Sequence, residues 1–141
     1  MQTISVPDLA GRLRLVIART ARRLRQEAGS DLSPSLSAAL ATIERHGPMT
    51  PSELAARERI QRPTATRLLA RLAESGLVAR TPDPADGRSS LVAATPAGRD
   101  LMAEMRTRKT AYLARSLDGL DAEERATLER AAAILEKVLD A

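Results

Sequence analysis

The chain of 141 residues has no Cys, no Phe and no Trp, and only one His and one Tyr. Without Cys there is no disulfide framework, no thiolate metal site and no thiol redox sensor. A single His (His46) excludes a His-rich zinc site. Val and Ile together supply only 10 residues. With one aromatic ring beside them, that is too little β-forming material for a sandwich or barrel. No apolar run approaches the roughly 18 residues that span a membrane. The N-terminal MQTISVPDLAGRLR lacks the charged-then-apolar order of a signal peptide. A cytoplasmic protein with no membrane partner is expected.

What is abundant points to helix. There are 26 Ala and 20 Leu, both strong helix formers. Of 22 basic residues 20 are Arg, against 18 acids. The charge is unevenly spread. Residues 12–25 hold six Arg and no acid, and residues 57–88 carry a net +3. Residues 116–141 carry a net −4. A basic middle with an acidic tail suits a polyanionic partner and a charge complement within or between subunits.

Capping residues and periodicity divide the chain. Asp8 is expected to start a first helix with stripe Leu9, Leu13, Val16, Ile17, Leu24 and Ala28, ended by Gly29 and Ser30. Ser33-Pro34 starts a second, with Leu36, Leu40 and Ile43 inward, stopping at His46-Gly47-Pro48 with Gly47 expected in the left-handed conformation. His46 then sits in the last turn, near the terminal carbonyls. Thr50-Pro51-Ser52-Glu53 is a capping box opening a short helix that ends near Arg59. Arg62-Pro63 opens the next, with Ala65, Leu68, Leu69 and Leu72 inward and Gly76 at its end. Leu77–Thr81 and Ser90–Ala94 read as a hairpin around a turn-rich tip, Asp83–Ser89, that contains Asp-Gly. Two strands alone are unstable, so they must pack on helices. Thr95-Pro96 caps a long helix to about Ser116, and Asp121 caps the last, whose apolar face is Leu128, Ala131, Ile134, Leu135, Val138 and Leu139.

Residues 34–94 thus read helix, short helix, helix, hairpin. That is a helix-turn-helix with a candidate wing. The second helix of such a pair places its N-terminal residues at base edges in the major groove. Here that turn carries Arg62, Pro63, Thr64, Thr66 and Arg67, with Arg71 one turn on, and no acid lies between Gln61 and Ala73. Arg pairs bidentately with guanine, and Thr bonds bases or phosphates. An ordinary solvated helix face is the alternative. No Ser-His-Asp set, metal cluster or phosphate-binding Gly loop is visible, so no enzyme activity and no cofactor are expected.

The chain resembles the MarR family of bacterial winged helix-turn-helix regulators. The resemblance rests on Met49–Ala55, on Thr66–Val78, on Asp83-Pro84-Ala85-Asp86-Gly87-Arg88 against the family's D-P-x-D-x-R wing, and on Thr95-Pro96-Ala97-Gly98 against its T-x-x-G. Ala94 stands where the family usually has Leu. The resemblance implies one MarR-type domain over 1–141. Helices at about 8–29 and 96–141 form a homodimerisation domain, and about 33–95 form the winged lobe. It also implies a repressor on a near-palindromic double-stranded operator. Arg88 matches the wing-tip arginine of the minor groove, with Ser89 beside it and Asp86 as its orienting carboxylate. A small anionic or phenolic effector that releases DNA is implied too. Arg19 and Tyr112 are its candidate contacts, although a single aromatic in a helical apolar stripe is more often core packing. The Arg set at 12, 14, 19, 22, 23 and 25 suits DNA, an effector, the acidic last helix or plain solvation. A winged-helix module that binds proteins rather than specific DNA is the rival reading.

Overall fold

The computed structural model describes residues 3–141 and contains six helices and two strands among them. Helix α1 spans Val6–Ala28, α2 Pro34–His46, α3 Pro51–Glu58 and α4 Arg62–Glu74. Strand β1 (Val78–Asp83) and β2 (Asp86–Ala94) follow, then α5 (Pro96–Leu117) and α6 (Ala122–Leu139). The mainly helical class is as expected from the composition, and the small hairpin as expected from the strand and turn pattern.

The described chain divides into two compact units, residues 28–107 and residues 3–27 with 108–141. The first holds the core. Leu40 and Ile43 of α2, Leu54 of α3, Leu69 and Leu72 of α4, Met49 and Val92 are its largest fully buried side chains. Gly98, Met102 and Met105 put one face of the first half of α5 into it. The caps explain where these helices begin. The Ser33 hydroxyl accepts from the Leu36 amide, and Thr50 and Glu53 form the reciprocal box that opens α3.

The hairpin is built onto this core by three devices. Met49 and Val92 exchange both backbone hydrogen bonds, at 3.0 and 2.7 Å, so the residue before the α3 cap extends the sheet. The Gly76 amide closes α4 with Gly76 at φ +74°, and the Leu77 amide reaches back to the Leu72 carbonyl at 2.9 Å. The Thr95 hydroxyl donates to the Gly76 carbonyl at 2.6 Å and accepts from the Gly98 amide at 3.1 Å. A Cβ on Gly98 would run into the Leu77 carbonyl oxygen. The T-x-x-G stretch is therefore a clasp between the α4–β1 turn and the start of α5.

In the other unit the Ser5 hydroxyl accepts from the Asp8 amide and donates to its carboxylate, so α1 begins near Ser5. Asp8 is the third-position partner rather than the cap, because either residue type can serve at a cap. Asp121 and Glu124 form the capping box of α6. No residue of α6 is buried. Val6, Ile134, Val138 and Leu139 are 80%, 61%, 64% and 83% exposed, and Leu9, Val16, Ile17 and Leu128 are exposed beside them.

Two local details differ from the sequence reading. Gly47 is extended (φ −70°, ψ 167°), not left-handed. Its hydrogen sits where a Cβ would lie 2.5 Å from the Ile43 carbonyl oxygen, so close approach rather than handedness selects glycine there. The hairpin turn is Pro84-Ala85, because Asp83 pairs with Asp86. Asp86-Gly87 lies in β2, and both strands are longer than the sequence suggests.

Candidate nucleic-acid interface

Helix α4 buries Ala65, Leu69 and Leu72. At 3.6 residues per turn this turns Pro63, Arg67, Ala70 and Arg71 outward, with Arg62 and Thr66 at one border and Thr64 at the other. Arg62, Pro63, Thr66, Arg67 and Arg71 are exposed, and Thr64 is half-buried. An Arg67 Nη donates to the Thr64 hydroxyl at 3.3 Å. Arg67 and Arg71 stand together along a groove that Asp31, Ser33 and Leu36 also line. Gln61 at the start of α4 makes no side-chain cap hydrogen bond. Helix α4 itself offers guanidinium, hydroxyl and amide donors and no carboxylate before Glu74, and Asp31 is the carboxylate that shares the groove with Arg67 and Arg71.

The wing has its own geometry. Strand pairing passes from Pro82–Ser90 to Asp83–Asp86 and leaves Gly87, Arg88 and Ser89 with no residue opposite. Arg88 is thus carried on a bulge, which re-aims a side chain out of the ladder. Arg88 is exposed and Ser89 half-buried. An Asp86 carboxylate oxygen accepts from the Arg88 backbone amide at 3.0 Å, and Asp83 does the same for Ala85 at 2.9 Å. Asp86 therefore fixes the backbone under Arg88.

Glu44 of α2 and Arg106 of α5 form a bidentate pair at 2.8 and 3.0 Å. The hydrogen bonds from Arg106 hold the Glu44 carboxyl below the usual carboxylate range, against a smaller opposing effect of burial. This pair was not singled out in the sequence, because partners 62 residues apart leave no local pattern.

Arg19 and Tyr112 line one open groove of about 490 Å³ with Arg22, Arg23, Gln26 and Ser116. The Arg23 Nε donates to the Tyr112 hydroxyl at 3.1 Å, and its guanidinium carbon stands 5.5 Å from the ring centre. Tyr112 is half-buried. Among the described residues no cluster of potential ligands could hold a metal ion, and no helix is long and apolar enough to cross a membrane.

A helix-turn-helix with a basic second helix and an arginine-bearing wing defines the winged-helix class of DNA-binding proteins. Known proteins narrow the class. The model of the MarR family matches residues 32–90. An HTH-type transcriptional regulator of Mycobacterium leprae is 38% identical over 133 residues, 94% of this chain and 93% of that protein. A Pseudomonas aeruginosa structure solved as that of a transcriptional regulator has a TM-score of 0.87 and 34% identity, covering 98% of each chain. Apo MarR of E. coli has a TM-score of 0.76 and 28% identity, covering 98% of this chain and 99% of its own. The chain belongs to the MarR family.

Proposed function

We propose that this chain is a cytoplasmic homodimeric repressor of a near-palindromic operator. The exposed basic face of α4, which itself carries no acid before Glu74, supports this reading. Arg67 and Arg71, with Arg62, Pro63, Thr64 and Thr66, enter the major groove. Arg88 on the bulged wing, with Ser89 beside it and Asp86 beneath it, enters the minor groove, whose narrow form concentrates negative potential. Dimerisation is supported by the apolar residues that α1 and α6 leave in water. A monomer seldom exposes so many together. An operator-bound dimer obstructs a promoter, which makes repression the simplest outcome. The groove at Arg19 and Tyr112 suits a small anionic or phenolic effector, held by guanidinium groups and one ring.

The test is operator affinity of two variants. Arg67→Ala and Arg88→Ala each weaken binding by about 1–3 kcal/mol and leave helix content unchanged. Parental affinity in both would refute these groove contacts. Failure of the parent chain to bind any duplex in a salt-dependent way would favour a protein-interaction module.

A further inference from the structure

Arg59 closes α3 in the left-handed conformation, with φ 54° and ψ 45°, and is the one described non-glycine residue at positive φ. The turn requires that conformation. The Ile60 amide reaches back to the Ala55 carbonyl at 3.0 Å, and Ile60 packs against the core, the closing pattern in which glycine is usual. An L side chain is strained there, and strain kept in a fold points to a use for the side chain.

The surroundings indicate what that use is. Arg59 is exposed, as are Arg57 and Arg62 on either side of it. The carboxylate next to it, Glu58, instead accepts from the Thr42 hydroxyl of α2 at 3.0 Å. Among the described residues Arg59 has no carboxylate within ion-pair distance. It lies two residues before Gln61, the N-cap of α4. A side chain on the turn leading into a groove-binding helix lies outside that helix, where the phosphates flanking the groove are in reach. We infer that Arg59 is a phosphate-contacting residue of the DNA interface, with strain accepted in the turn in exchange for the contact.

This rests on the DNA-binding reading above. Salt-dependent binding of the full chain to a selected duplex, measured by fluorescence anisotropy, tests it with R59G, R59N and R59K. Gly and Asn tolerate the left-handed conformation. R59G and R59N should keep or raise the thermal midpoint while weakening binding about 5- to 30-fold. The loss should be equal across duplexes altered in sequence, as for a phosphate contact. The slope of log K against log salt should shrink by about 0.9 per contact, or about 1.8 for a two-fold dimer. R59K should retain the parental slope. Unchanged slopes in R59G and R59N, with the parent binding normally, would overturn the assignment. So would a lowered midpoint, which would make Arg59 structural. If the parent binds no duplex, the DNA reading itself fails and Arg59 is left as a helix-end charge.

Discussion

The apolar residues of α6 should hold two copies of the chain together, and the size of that effect follows from their exposure. Replacing Ile134 and Val138 by Ala removes five carbon atoms per protomer from the proposed interface. Each buried methylene is worth about 0.8 kcal/mol. Ile134 and Val138 are 61% and 64% exposed in the protomer, so only that fraction remains to be buried on association. The loss is then about 2.5 kcal/mol per protomer, and about 5 kcal/mol when a two-fold interface presents both copies. At 1.4 kcal/mol per tenfold, the dimer Kd rises by about 10³–10⁴. Sedimentation equilibrium over a range of concentrations reads this directly. The variant should also bind a full operator no better than a half-site. A Kd within about threefold of the parent would refute the reasoning, since these side chains would then remain in water in the assembly.

Two further predictions concern the folded lobe. Gly98→Ala should destabilise it by about 1–3 kcal/mol, the usual cost of forcing atoms into a packed site, because its Cβ meets the Leu77 carbonyl. An unchanged midpoint in denaturant would show that the clasp has slack. Glu44 should make stability pH-dependent. Its carboxyl titrates below the ordinary range in the folded chain, so its contribution is full above the unfolded value and is lost as pH falls through the folded one. Glu44→Gln should therefore lower the melting temperature near neutral pH. The gap from the parent should close in acid. A gap independent of pH would remove the ion pair as its cause.

Much of the lobe was legible because its punctuation is local. Ser33, Thr50 with Glu53, and Gly76 each act within a few residues of themselves, and each acts as the sequence suggests. The turn falls inside the Asp83–Ser89 tip, but the tip is tighter than the sequence suggests, because the bulge at Gly87–Ser89 draws Asp86-Gly87 into β2 and leaves Pro84-Ala85 as the turn. Gly47 was misread because glycine serves both positive φ and close approach, and only coordinates separate the two. Arg59 went unremarked as more than a helix end. Its signal was present: an Arg directly after a short helix and before an apolar residue that must fold back. The apolar stripe of α6 was legible because its residues recur every three or four positions along a single helix.

Selection of bound duplexes from a random DNA pool, at two salt concentrations, tests the central claim most directly. The account predicts a two-fold-related motif with half-sites about 10 bp apart, centre to centre. Its affinity should fall steeply with salt, near −0.9 in log–log slope per phosphate contact. Weak retention at low salt without any sequence motif would contradict it, leaving the α4 face merely basic and the chain a partner for proteins.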